Sequence, residues 1–204
     1  MSITYAVGVA RPASKQSGRP RRAATREEAR ALSHPDRWRI IRLTLDEALT
    51  NKELAERLGR DPASMLHHVR TLVTTGFIEA QEPRRGARGA KEIPYRSTGK
   101  SWTLEVGDPT DDQALAIVDA FRAELLESPP DERRWARLGL RLTPEQRDEL
   151  ESRLFALAEE AATWSPAEGG EPCALFVALH ARPDAYRSTR GGARSTRRAK
   201  KAAS

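Results

Sequence analysis

The chain has 204 residues, with 35 Lys or Arg against 29 Asp or Glu, a formal net charge of +6 and a pI near 9.9. It is 38% hydrophobic and 31% charged, and no apolar run approaches the roughly 18 residues that a bilayer-spanning helix needs, so such a helix is excluded. A lone cysteine, Cys173, and four scattered histidines exclude an internal disulfide and a Cys-rich zinc site. The opening MSITYAVGVARPASKQ lacks a basic stretch followed by a long apolar core, so the chain is expected in the cytoplasm, with no membrane partner.

Charge is spread unevenly. Residues 1–30 carry seven basic and two acidic groups, 31–101 thirteen and nine, 102–181 seven and seventeen, and 182–204 eight and one. A basic front half and tail suit a polyanion such as nucleic acid, whereas the acidic stretch suits packing on protein. Because Arg outnumbers Lys 29 to 6, basic residues carry weight only where position also fits.

Residues 1–25, with Arg19-Pro20-Arg21-Arg22, have no periodic apolar positions and are expected to form a disordered basic arm; 182–204 reads as a similar tail. Between them the expectation is one domain over 26–105 and a second lobe over 110–181, joined at Gly107-Asp108-Pro109.

In chain order, a short helix is predicted from Arg26 to Leu32, and a second from Pro35, whose missing N–H is tolerated at a first helical position. Trp38, Ile41, Leu45 and Leu49 form its apolar stripe. Thr50 with Glu53 three residues on is a capping box for a third helix, which Gly59 ends. Asp61-Pro62 opens a fourth, running to Gly76. Two short helices joined by three or four residues including glycine outline a helix-turn-helix.

Placing the fourth helix at about 100° per residue gathers Met65, Leu66, Val69, Leu72 and Val73 on one side. Ala63, Ser64, His67, Arg70, Thr71 and Thr74 gather opposite, with His68 at the flank. Small, hydrogen-bonding side chains with one long cation suit entry into a DNA major groove, although a solvated helix face has a similar composition. The next segment bears on the choice. Phe77–Gln81 and Ile93–Ser97 read as two strands whose glycine-containing tip carries Arg84, Arg85, Arg88 and Lys91, a hairpin suited to phosphates or the minor groove.

ALSHPDRWRIIRLT, TNKELAERLGRDPASMLHHVRTLVTTGFIEA, the Arg-rich hairpin and PYRSTGKSW together resemble the winged helix-turn-helix of ArsR-type bacterial transcriptional regulators, over about residues 26–102. The resemblance implies a mainly α fold with a small β component (α+β), binding double-stranded DNA as a homodimeric repressor. By position it puts Ala63, Ser64, His67, His68, Arg70 and Thr71 on the recognition helix, and Arg84, Arg85, Arg88 and Lys91 on the wing. Family members that sense arsenic, cadmium or lead carry cysteines at the start of the helix equivalent to Thr50–Leu58, which has none here. Others hold zinc or nickel with Asp/His pairs on a C-terminal helix, and 111–127 has no His. Neither a metal nor a cofactor is expected.

In the acidic stretch Ala114, Val118, Phe121 and Leu125 mark an amphipathic helix over Asp111–Glu127, the element that commonly forms the dimer interface in that family. Ala136, Leu138, Leu140 and Leu142 alternate as in a half-buried strand. Thr143 and Gln146 cap a helix to about Thr163, and 173–180 reads as a buried strand with Cys173 an inert core thiol. The lobe, α/β or helical, is expected to serve dimerisation or reception of a small-molecule effector.

His67 and His68 diverge by about 100° on a helix and cannot readily share one metal. Trp102, Trp135 and Trp164 read as core or as an effector pocket. No phosphate-binding glycine loop, nucleophile elbow or paired-carboxylate signature is present, so no enzyme is expected. The alternative to a regulator is a winged-helix module for protein interaction or nonspecific chromosome binding.

Overall fold

The computed structural model describes residues 22–86, 89–105, 111–161, 163–164 and 170–180. The expected arm before residue 22, the joint at 107–109 and the tail from 182 lie outside the described residues. The chain divides into two units, Met1–Glu171 and Pro172–Ser204. In the first, the elements run β1 (Arg22–Ala23), α1 (Arg26–Ala31), α2 (Pro35–Leu43), β2 (Leu49–Thr50), α3 (Asn51–Leu58) and α4 (Pro62–Thr74). They continue through β3 (Ile78–Ala80), β4 (Arg84–Arg85), β5 (Lys91–Glu92), β6 (Pro94–Ser97), β7 (Leu104–Glu105), α5 (Asp111–Glu127) and α6 (Pro144–Ala161), with a short 3₁₀ turn at Lys100–Thr103.

Local chemistry sets the helix starts. Thr25 and Thr50 each accept the backbone N–H of a glutamate three residues on, Glu28 and Glu53, whose carboxylates accept the cap N–H in return. Asp61 accepts from the Ala63 and Ser64 amides, both at 3.0 Å, and so fixes the first turn of α4. Gly59 ends α3 at φ +60°, a left-handed conformation that glycine adopts without steric cost. This turn delivers the chain to Asp61 within two residues and sets α4 against α3.

The core gathers Ile40 and Ile41 of α2, Leu54 of α3, Met65, Val69 and Leu72 of α4, then Phe77, Ile78 and Leu104, all at most 1% exposed. Each such side chain contributes roughly 1.5–3 kcal/mol relative to exposure. A three-stranded antiparallel sheet, β2-β6-β3, closes one side; Ile78 lies opposite Ser97 and Leu49 opposite Tyr95. The β4–β5 hairpin extends from it, pairing Arg84 with Glu92 and Arg85 with Lys91. These helices and strands form a winged helix-turn-helix of α+β class.

α5 lies across α2, burying Ala116 and Ala120. Two ion pairs fasten it, Arg39 to Glu127 at 2.5 Å and Arg42 to Glu124 at 2.7 Å.

Several sequence expectations need correction. α2 stops at Leu43, where the Thr44 hydroxyl donates to the Ile40 carbonyl at 2.9 Å and the Thr44 carbonyl accepts from Ser97 of the sheet. Leu49 is buried as expected but in a strand. Arg22 and Ala23, read as part of the arm, form β1 parallel to β7. Residues 136–142 have no strand pairing, and Leu138 is 76% exposed; alternation yields a strand only where a partner strand offers backbone groups. Trp102 is buried, whereas Trp135 and Trp164 are exposed. In the second unit 172–180 has neither helix nor strand, and Cys173 is exposed instead of buried. The 143–146 cap does form: the Gln146 amide donates to Thr143 Oγ1 at 3.3 Å and its side chain accepts from the Thr143 amide at 3.0 Å.

Candidate nucleic-acid interface

α4 is two-sided. Met65, His68, Val69 and Leu72 are buried, whereas Ala63, Ser64, His67 and Arg70 are exposed. The position of the helix is fixed from below and from its start: Asn51 of α3 donates from Nδ2 to the Pro62 carbonyl at 2.9 Å, and Arg60 in the turn grips Asp36 of α2 through Nε at 2.9 Å and Nη2 at 3.2 Å. Thr71 is half-buried, its hydroxyl donating to the His67 carbonyl at 3.0 Å, so it serves its own helix before any ligand. The outward face carries one fixed cation, Arg70, and no carboxylate past the capping Asp61.

His68 is not on that face. It is 8% exposed, its ring centroid 4.3 Å from that of His34, and its Nδ1 accepts from Arg37 Nε at 3.4 Å. Burial above all, then the neighbouring His34 and Arg37, pushes its pKa down to about 4, so the ring is neutral near pH 7. The spacing of two adjacent histidines gave no signal of this arrangement, because the partner ring lies 34 residues earlier in the sequence. The pair therefore differs in exposure, His67 facing solvent and His68 the interior, although the rings meet edge-on with centroids 5.8 Å apart.

The wing is also divided. Arg85 and Lys91 are exposed, and no ion pair joins either among the described residues. Arg84 is engaged: its Nη2 lies 2.5 Å from Glu53 Oε1 and its Nε 3.9 Å from Glu92. The Glu53 carboxyl is held below its usual range, first by the Thr50 backbone N–H and further by Arg84. Arg88 lies outside the described residues. Gly86 leaves room for the Glu92 side chain, whose carboxylate end would have to swing aside for a Cβ at that position.

Helix and wing are joined by residues too far apart in the sequence to signal one another. Lys100 Nζ donates to the Thr75 carbonyl at 2.5 Å and pairs with Glu28 at 2.6 Å, while the Thr98 hydroxyl donates to the Gly76 carbonyl at 2.8 Å. The TTGF and STGK segments, separated in sequence, thus lock the turn after α4 to the end of β6.

Residues 32–81, from the end of α1 through β3, match the helix-turn-helix domain family, in agreement with this architecture. Among solved structures the chain is similar to reduced HlyU from Vibrio cholerae, with 20% identity over 44% of this chain and 77% of that one at a TM-score of 0.29. It is also similar to the transcriptional repressor BigR from Xylella fastidiosa, with 19% identity over 52% of this chain and 84% of that one at a TM-score of 0.30. An ArsR-like transcriptional regulator from Rhodococcus sp. RHA1 shows 20% identity over 68% of this chain and 91% of that one, at a TM-score of 0.31. No curated protein matches. No helix among the described residues is long and apolar enough to cross a membrane.

Proposed function

We propose that this chain is a sequence-specific transcriptional regulator of the ArsR type that binds double-stranded DNA as a homodimer, acts in the cytoplasm and represses by occupying its operator. One observation carries the reading: α4 is anchored on its buried side and offers Ala63, Ser64, His67 and Arg70 outward, beside a wing that adds Arg85 and Lys91. Small and hydrogen-bonding groups with little opposing negative charge suit a helix entering the major groove. Arg70, Arg85 and Lys91 are assigned to phosphates, Ser64 and His67 to base edges, with Ala63 allowing close approach. Arg88 is assigned to the wing contact by its place in the sequence alone. His68 leaves the contact set and Thr71 plays a supporting part.

A single winged helix reads few base pairs, so specificity favours a two-fold pair. The outward side of α5 supports this, with Leu115 at 57% and Val118 at 43% exposure. A small-molecule effector would act through the segment after α5.

The test is selection of genomic DNA fragments by the purified full-length protein, followed by titration of the selected site against random duplex. Preference of about 10³-fold or more at physiological salt is the expected result. Equal binding to all sequences would instead favour a nonspecific chromosome-binding or protein-interaction module.

A further inference from the structure

Beneath the outward face of α4, His34, Asp36 and His68 place their ligand atoms within 4.8 Å of one another, a combination the described residues offer nowhere else. His34 caps α2, Asp36 sits in its first turn, and His68 projects from the buried side of α4. The three therefore meet where the helix carrying the DNA-contact residues rests on α2.

The donor chemistry suits a metal ion. In each neutral imidazole one nitrogen keeps its proton and the other presents a lone pair, so ligation releases none. His34 Nδ1 accepts the Asp36 amide at 3.2 Å, and His68 Nδ1 accepts Arg37 Nε at 3.4 Å; both bonds are long and weak beside a metal–nitrogen bond. Asp36 is 5% exposed and paired with Arg60, whose side chain is half exposed and free to shift while still holding the second carboxylate oxygen. Such an outer partner orients a ligating carboxylate.

Selectivity follows from the surroundings. Two guanidinium groups, Arg37 and Arg60, oppose a hard cation held by charge alone, which disfavours magnesium and calcium. Ions with strong affinity for imidazole overcome that repulsion, and two histidines with one carboxylate are a donor set for zinc, cobalt or nickel. Three protein donors leave a fourth position for water. Zinc–nitrogen bonds of about 2.0–2.1 Å require the cluster to contract, drawing α4 toward the start of α2.

We propose that His34, Asp36 and His68 form a site for a divalent transition metal of the zinc class that tethers the recognition helix to α2. This departs from the sequence-level expectation of no metal, because His68 lies far from His34 and Asp36 in the sequence and the three donors converge only in the fold. The consequence for DNA rests on the function proposed above; metal binding does not.

The experiment titrates full-length protein carrying Cys173→Ser, which removes the exposed thiol, with cobalt(II), and then displaces it with zinc. The expected result is one equivalent bound per chain with visible absorption bands of tetrahedral cobalt. Asp36→Asn, which keeps an acceptor for Arg60, and His68→Phe, which keeps a ring against His34, should each weaken binding at least roughly 10-fold. His180→Ala should change nothing. Absence of the bands in the Cys173→Ser protein overturns the proposal, as does their survival in folded Asp36→Asn or His68→Phe protein, judged by circular dichroism. Zinc is then added to the operator titration, where a change in affinity of about 3-fold or more is expected if the tether repositions α4. Failure of sequence-specific DNA binding would leave the cobalt spectrum intact, so the two readings fail separately.

Discussion

Arg84 on the wing and Glu53 at the start of α3 form an ion pair with a 2.5 Å contact, so a cation that the sequence offers to DNA is already neutralised by a carboxylate of the same domain. Glu53 has two duties, because it also closes the capping box with Thr50. Glutamine performs the capping duty without the charge. Glu53→Gln should therefore fold normally, free Arg84, and steepen the salt dependence of binding to random duplex by about one unit. In the unaltered protein Arg85→Ala should lower that slope by about one unit and Arg84→Ala by clearly less. Equal effects of the two arginine variants would show that the Glu53 pair opens on DNA.

His67 gives its backbone carbonyl to Thr71, and its exposed ring meets only the edge of the His68 ring among the described aromatic contacts, with centroids 5.8 Å apart. His67→Ala should leave stability nearly unchanged. At the operator it should cost on the order of 1–3 kcal/mol and relax preference at one or two base positions, while random duplex binds as before. Retention of full operator preference would exclude α4, in this orientation, as the reading element.

Dimerisation through α5 can be tested without disturbing the core. Deleting everything after Gly107 would strip Ala116 and Ala120 from α2, so a surface change is cleaner. Leu115→Glu with Val118→Glu alters only side chains on the outward flank. Light scattering should show a dimer before the change and a monomer after it, with operator affinity much reduced. A monomeric unaltered chain that still binds tightly would defeat the dimer reading.

Glu28 is 5% exposed and held between Arg22 at 2.5 Å and Lys100 at 2.6 Å. The Arg22 hydrogen bonds, then Lys100 and the Thr25 amide, keep its carboxyl well below the usual carboxylate range against the opposing effect of burial. Its stabilising contribution is thus complete above the ordinary glutamate pKa, about 4.3, and declines as pH falls through that value toward the depressed one. Acid unfolding monitored by circular dichroism should show less loss of stability between about pH 5 and pH 3 in Glu28→Gln, starting from a less stable protein at neutral pH. Parallel pH profiles for the two proteins would place the acid sensitivity elsewhere.

What the sequence made legible is local. Thr50 with Glu53, Gly59 and Asp61-Pro62 are cap signals within four residues, and each holds in the structure because the groups that interact are near-neighbours along the chain. The two faces of α4 followed broadly from helical periodicity, although Val73 is 38% exposed and Leu66 and Thr71 are half-buried. Features built from distant residues stayed hidden: nothing near His68 announces His34, and nothing near Arg84 announces Glu53. The alternation of Ala136, Leu138, Leu140 and Leu142 misled for the complementary reason: a side-chain pattern is local, but the pairing that makes a strand is not.

The lock formed by Lys100 on Thr75 and Thr98 on Gly76 limits where the domain can bend. With the exit of α4 fastened to the strand that returns from the wing, the two cannot be re-aimed independently without breaking both bonds. Differences in groove width or curvature between one stretch of duplex and another must then be met by side-chain rotation or by deforming the DNA itself. Sequences that are stiff against that deformation would be discriminated at positions no side chain touches.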